Sequence, residues 1–286
     1  MSAAIHRSVF RASAPSTGFA PQLGPLAELP GTWMGNGYNL IFVPDHQEGK
    51  AFRPLLNATR EVLSFSPIGA PIPNRGSAQD DILFVGLHYL QQVNDAVTNA
   101  ALHLEPGLWL NVPETTAPPE KATVVRLATI PHGDSVLAQG VGSTVTGGPH
   151  IAPVSPIPTG PGANRPGYLD PYLTAALPPG IPPAAKENPN VVLTQAIQNQ
   201  RIVRTVVLEV STNPPPGRGI LPGGVVNIPF VVTNANATAV SAIFWIETVE
   251  SANGHQFLQL QYTQTVVLNF LGIDWPHISV ATLVKR

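Results

Sequence analysis

The sequence contains no cysteine and little charge. Without cysteine, disulfides, zinc–thiolate sites, iron–sulfur clusters and thiolate catalysis are excluded. Only 11% of the 286 residues are charged and the net charge is -2, so the chain lacks the basic surface that nucleic acids or anionic membranes require. No apolar run is long enough to cross a membrane, and residues 1–20 lack the apolar core of a signal peptide. These absences predict a cytoplasmic protein without nucleic-acid or membrane partners.

Strand-like segments recur from residue 26 to residue 286. They are rich in Val, Ile, Leu, Thr and aromatic residues, and Gly, Pro, Asn and Asp separate them. Apolar and polar residues alternate most clearly within Phe257 to Phe270, and no helical period of comparable strength occurs. The stretch from Val225 to Thr233 is included among the strands. The pattern predicts an all-β fold, a single antiparallel up-and-down β-barrel of about ten strands.

Two segments are expected to lie outside the barrel wall. Residues 1–25 have no periodicity and predict a flexible N-terminal arm. The second segment, at about residues 146–192, is a proline-rich insertion: twelve of the 32 prolines lie between Gly147 and Asn190. Because the insertion also carries apolar residues, including Tyr168 and Tyr172, we expect it to be ordered and to cover the outside of the barrel. A free loop, with a homodimer covering that surface, is the alternative.

Three motifs carry a resemblance to a known family. The stretch from Gly31 to Gly37 reads Gly-Thr-Trp-Met-Gly-Asn-Gly, Leu102 to Trp109 contains His-x-Glu-x-Gly, and Pro276 to Leu283 forms a final strand with a histidine near its start. Their order resembles that of the nitrobindin family, small haem-binding barrels of the fatty-acid-binding-protein-like, or calycin, superfamily. In that family the first motif opens the barrel, and the last-strand histidine is the protein ligand to haem iron.

The resemblance implies that His277 binds the iron of haem b. On an extended strand His277, Ser279 and Ala281 share a face, so the two small residues leave room beside the imidazole for a flat cofactor. Trp33 closes the barrel end as a large apolar plate and is included with these residues in the expected haem site. A solvated histidine at the start of a strand is the alternative interpretation of His277.

A second histidine could take part in the chemistry. His88 lies in the apolar stretch from Phe84 to Leu90, where a lone polar group needs a partner or a role. It could face the distal side of haem and move protons as a catalytic residue. A structural role for His88 is the alternative. His103 and Glu105 lie on one face of a strand and are expected to pair, whereas His132 lies in a turn and is expected to be solvated.

Other chemistries find no matching motif. The sequence has no Gly-x-Ser-x-Gly elbow and no His-x-His pair, which disfavours a serine hydrolase or a multi-histidine metal site. The resemblance to the nitrobindin family implies a haem-dependent enzyme that acts on nitric oxide, peroxynitrite or a peroxide, with an organic substrate as a further option. The alternative is a non-catalytic carrier of a fatty acid or another apolar small molecule in the same cavity.

Overall fold

The structure is a computed structural model, and it describes residues 20–163, 174–216 and 220–286. Ten long strands form the barrel wall: β1 (Gly31–Asp45), β2 (Lys50–Pro67), β4 (Ile82–Asp95), β5 (Ala101–Val112), β8 (Thr123–Ile130), β9 (Asp134–Thr146), β10 (Arg201–Ser211), β12 (Asn236–Glu250), β13 (Gln256–Phe270) and β14 (Ile273–Lys285). Four short strands accompany them: β3 (Ile72–Asn74), β6 (Thr115–Thr116), β7 (Pro119–Glu120) and β11 (Gly224–Asn227). The helical segments are the 3-10 turns Ala20–Leu26, His46–Glu48 and Pro183–Lys186 and the short α-helices Val191–Ile197 and Pro229–Asn234.

The ten long strands close into an antiparallel barrel. Their order around the ring is β10, β12, β13, β14, β1, β2, β4, β5, β8 and β9, and β9 pairs with β10 to complete the circle. Most neighbours in the ring are also neighbours in sequence, and β14 returns to pair with β1. The predicted all-β, up-and-down barrel is therefore confirmed.

Two glycines of the opening motif allow β1 to approach β14 closely. A Cβ atom at Gly35 would lie 2.1 Å from the carbonyl oxygen of Thr282, and one at Gly37 would lie 2.3 Å from that of Val280. Both distances are far below van der Waals contact. Only glycine fits here without moving the last strand, the strand that carries His277.

Trp33 closes one end of the barrel. It is fully buried, and its indole Nε1–H donates a hydrogen bond of 2.7 Å to the carbonyl oxygen of Leu29. Leu23 and Leu26, in the turns just before it, are buried in the same core. The expectation of a flexible arm through residue 25 is wrong for residues 21–25, because these leucines bury apolar surface at the barrel end; residues 1–19 lie outside the described chain.

The proline-rich insertion covers the outside of the barrel on one side. The covering segment continues past the expected end at about residue 192 and reaches residue 200. In its described parts, residues 147–163 and 174–200, Ala185 and, just beyond the expected end, Leu193 are fully buried against outward-facing residues of β1, β12 and β14 such as Trp245. Gln261 on β13 also points outward, and its amide donates a 3.0 Å hydrogen bond to the Leu193 carbonyl. The predicted covering role is confirmed for these parts. Tyr168 and Tyr172 lie outside the described residues.

The segment from Val225 to Thr233 is only partly a strand. It pairs with β9 through Asn227, but Pro229 then begins a short helix that ends at Asn234. A proline lacks the backbone N–H of a ladder, whereas the first turn of a helix does not need it. The helix lies over the end of the barrel opposite Trp33 and borders the cavity there.

Candidate functional site

A cavity of about 420 Å³ opens at the end of the barrel opposite Trp33. It lies where β1, β4, β8 and β13 end and where β5, β9 and β14 begin, and the helix Pro229–Asn234 borders it. Its apolar lining comes from aliphatic side chains on many strands, among them Ile41, Leu55, Val93, Leu102, Ile130, Val266 and Leu268. Its polar lining comes from histidine, amide, hydroxyl and carboxyl side chains on several elements: Asn39, Asn57, Gln91, His103, His132, Asp134, Asn234, Tyr262, Gln264, His277 and Ser279. This division between apolar sides and a few converging polar groups is typical of a small-molecule or cofactor site.

His277 lines one wall of the cavity. It pairs with Val266 in the β13–β14 register, and among the described residues its imidazole has no hydrogen-bond partner. Burial, and to a lesser extent the nearby His103 and His132, lower the pKa of His277 to about 3. The ring is therefore neutral at pH 7. A neutral, unpaired imidazole beside an apolar space is suited to bind a metal centre.

The other predicted cofactor residues separate into two groups. Ser279 lines the cavity beside His277, as expected. Ala281 is fully buried one step deeper, in the apolar core beneath the cavity. Trp33 lies at the closed end and does not line the cavity, so it can stabilise the barrel but cannot contact a ligand there.

His88 lies away from the cavity. On β4 the side chains of Leu87, Tyr89 and Gln91 point inward and are buried, whereas His88 lies on the opposite face and is exposed. The expectation that His88 faces the distal side of a bound haem is therefore wrong. Because apolar residues flank it on both faces of β4, the sequence pattern did not reveal which face looks inward.

Two histidines that the sequence did not assign to the site form the wall opposite His277. His103 on β5 and His132 in the β8–β9 turn both line the cavity, and their rings stack with centroids 5.7 Å apart. Asp134, at the start of β9, lies beside them; burial raises its pKa, while His132 and His103 lower it. The predicted pairing of His103 with Glu105 is confirmed, with 3.2 Å between Nε2 and Oε2. His132 is exposed, as expected, but it also borders the cavity.

The cavity floor is a closed polar cluster. The Tyr262 hydroxyl donates to Glu61 over 2.6 Å, Gln91 donates to both Tyr262 and Glu61, and Thr59 donates to Glu61 over 2.8 Å. All four side chains are buried. Burial raises the pKa of Glu61, against the lowering effect of these hydrogen bonds. Glu61 is therefore held at the floor by three donors, which favour its ionised form, while burial opposes ionisation.

A second buried cluster supports the wall that carries His103. Arg126 on β8 pairs with Glu105 and donates a 3.0 Å hydrogen bond to the hydroxyl of Tyr89 and one of 2.6 Å to the amide oxygen of Gln264. Burial raises the pKa of Glu105, but the Arg126 guanidinium outweighs it and holds that pKa at about 2. Glu105 thus neutralises the charge of Arg126 within the protein. Of the four residues in this cluster, Gln264 is the one that lines the cavity.

No group of three or more metal-ligating side chains occurs in the part of the chain that the structure describes. A metal held by several protein ligands therefore does not fit the described residues, whereas a cofactor-bound metal needs only one. A shallower groove of about 660 Å³ lies on the outer surface near Pro106 and Pro222, but no titratable side chain lines it. Within the described ranges, no helix has the length and apolar character needed to span a membrane.

Comparisons with known proteins add little to this geometry. No family model and no curated protein matches the chain. Among solved structures, the chain is similar to the crystal structure of Rv2717c from M. tuberculosis, with 17% sequence identity and a TM-score of 0.44 over 96% of this chain and 99% of that one.

Proposed function

We propose that this protein binds haem b in the open-end cavity, with His277 as the only protein ligand to the iron, as the nitrobindin-like motifs imply. The observation that carries the proposal is the state of His277. Its imidazole is neutral, lines the cavity and has no hydrogen-bond partner among the described residues. The side chain is half-buried beside the open cavity, so an imidazole nitrogen without a protein partner is available to bind a metal there.

The surrounding residues fit a flat apolar cofactor. The cavity volume of about 420 Å³ lies within the range of about 300 to 1,000 Å³ that is common for such sites. Val266 and Leu268 lie on the strand next to His277, and Ile130 lies on the opposite wall. The small Ser279 leaves space beside the ring. Polar propionate groups would extend to the open end, where His132 is exposed.

When bound, haem would supply an iron site open to one further ligand and able to bind nitric oxide or to react with peroxynitrite or a peroxide. The apolar side chains of the cavity wall exclude bulk water. His103, His132 and Asp134 place polar groups opposite His277. We propose a haem-dependent enzyme on this basis, acting on one of these small molecules, with an organic substrate as a further option. The cytoplasmic location and a homodimer stay predictions.

A second candidate function is that of a non-catalytic carrier. The charges around the cavity limit the kind of ligand that such a carrier could hold. A fatty-acid anion needs a positive charge at its head group, but Glu105 neutralises Arg126, and no Lys or Arg side chain among the described residues lines the cavity. The floor therefore suits a neutral apolar molecule with one hydrogen-bonding group more than it suits a carboxylate.

A haemin titration tests the proposal. We expect the purified protein to develop a saturable Soret band at one haem per chain, and His277→Ala to lose that band or to give the spectrum of loosely held haemin. The matched control is His88→Ala, which removes a histidine from the outer face of β4 and should leave the spectrum unchanged. A Soret band in His277→Ala identical to that of the parent protein would refute iron ligation by His277. Displacement of a neutral fluorescent probe without any Soret band would favour the carrier.

A further inference from the structure

We propose that His103 is the proton-exchanging residue of the cavity, and that it deprotonates a protic ligand, a hydroperoxide, that binds opposite His277. This inference rests on the proposed function and narrows it, because it favours a peroxide over nitric oxide, which has no proton to lose.

The barrel topology places His103 across the cavity from His277. Along the ring, β5 lies four strands from β14, passing through β1, β2 and β4, and β9 lies four strands from β14 in the other direction, passing through β13, β12 and β10. In a ring of ten strands these positions are almost diametrically opposed. His103 on β5 and Asp134 on β9 therefore face the ligand space from the side opposite to His277, and both line the same cavity.

The orientation of His103 is fixed through Glu105. The Nε2 atom of His103 lies 3.2 Å from Oε2 of Glu105, while Arg126 and Tyr89 both hold the other carboxylate oxygen, Oε1. Because Glu105 is ionised, it accepts the Nε2–H proton and selects the tautomer with a lone pair on Nδ1. Among the described residues, Nδ1 has no hydrogen-bond partner. A base oriented by a buried carboxylate, with its second nitrogen available, is the arrangement that general-base histidines use.

The charged and titratable groups around His103 are compatible with this role. Glu105 and Arg126 form a neutral pair behind it, His132 stacks on it, and Asp134 and His277 lie on the neighbouring and opposite walls. When the ligand's O–H bond breaks, the electron pair stays on the oxygen and a new N–H bond forms on Nδ1. Oε2 of Glu105 then accepts a hydrogen bond from the imidazolium over 3.2 Å, which stabilises the charged ring.

Ligand-association rates in the haem-loaded protein test this role. The probes are hydrogen cyanide, which must lose a proton to bind as an anion, and nitric oxide, which loses none. We expect His103→Leu to slow cyanide association by roughly 100-fold, the lower end of what general-base assistance contributes, and to leave nitric oxide association within about twofold of the parent. Glu105→Gln should slow cyanide association by a smaller factor. His88→Leu is the outer-face control and should change neither rate.

Unchanged cyanide association in His103→Leu, or an equal loss for both ligands, would overturn the assignment, since the first denies proton transfer and the second indicates general damage to the pocket. A second measurement needs no haem: nitrogen-15 NMR of the ligand-free protein should show the His103 proton on Nε2. A proton on Nδ1 of the neutral ring would overturn the inference whether or not haem binds, whereas failure of the haemin titration alone would refute the proposed function and not this tautomer.

Discussion

Tyr262 donates a hydrogen bond of 2.6 Å to Glu61 across the barrel interior, between two fully enclosed side chains that are 201 positions apart in sequence. The bond joins β13 to β2, which are not neighbours in the ring. It closes the floor of the cavity above the apolar core. A buried carboxyl group depends on such donors, since leaving one oxygen without its partner costs the desolvation energy of that oxygen.

The first prediction concerns this bond. Tyr262→Phe removes the hydroxyl and leaves Oε2 of Glu61 with Gln91 as its remaining donor. We expect the free energy of unfolding to fall by roughly 1 to 3 kcal/mol, measured by urea denaturation at pH 6. The double variant Tyr262→Phe with Glu61→Leu should recover part of the loss, because no polar group is then stranded. A loss in the double variant equal to the sum of the two single losses would show that the hydrogen bond contributes nothing.

The second prediction concerns pH and a carboxyl group under the proline-rich insertion. Glu247 on β12 is fully buried; Gln259 donates to its Oε2, and Oε1 has no hydrogen-bond partner among the described residues. Burial raises its pKa to about 7, against the lowering effect of Gln259. Since the folded state binds this proton more tightly than the unfolded state, the stability it confers is present below pH 4.5 and is lost as the pH rises through about 7.

At 1.36 kcal/mol per pKa unit, this group accounts for a loss on the order of 3 kcal/mol between pH 4.5 and pH 8. Glu247→Gln should remove that share of the pH dependence in urea denaturation, while Glu61, whose pKa is also raised, still contributes in the same direction. Glu250→Gln on the same strand is the control, because Glu250 pairs with the exposed Arg201. If Glu247→Gln and the parent lose stability equally over this range, Glu247 does not titrate as described.

The third prediction tests whether the insertion stabilises the barrel. Leu193→Ala removes a fully buried side chain from the layer between the insertion and the outer wall. We expect a loss of roughly 2 to 5 kcal/mol and faster cleavage by trypsin at Lys186. The neighbouring Thr194→Ala is exposed and should stay within about 0.5 kcal/mol of the parent. Equal behaviour of the two variants would mean that the insertion lies on the barrel without supporting it.

Much of the fold could be predicted from sequence because its signals are local. Alternation along β13 separates Leu260 and Tyr262 inside from Gln259 and Gln261 outside, and glycine at positions 35 and 37 marks a close strand approach. The outward polar face was nevertheless misleading in one respect. Gln259 and Gln261 are buried under the insertion and bond to it, so a polar face here does not mean a solvated one.

The site was less predictable because it depends on which strands face one another across a ring. His277 could be placed from its own strand, but the pairing of His103, His132 and Asp134 against it follows only from the closure of the barrel. His88 was misplaced because its face of β4 was ambiguous. The helix at Pro229 was missed because its three consecutive apolar residues, Phe230, Val231 and Val232, resemble a strand as much as a short helix.

The last prediction concerns how much the ion pair beneath His103, as distinct from the packing around it, contributes to the free energy of unfolding. Glu105 and Arg126 are both nearly inaccessible to solvent, so removing one partner leaves a buried charge uncompensated, at a cost of about 3 to 5 kcal/mol. We expect Arg126→Met and Glu105→Leu each to lose about this much in urea denaturation at pH 7, and the double variant to lose much less than their sum.

Acid provides the second arm of this test. Burial raises the pKa of Glu105, but the Arg126 charge outweighs burial and holds that pKa at about 2. The stability that this pair contributes is therefore present above pH 4.5 and is lost as the pH falls toward 2. The double variant should therefore lose less stability between pH 4.5 and pH 2 than the parent does. Additive single losses together with an unchanged acid profile would mean that the pair does not couple, and Glu105 could then not be the fixed anion that orients His103.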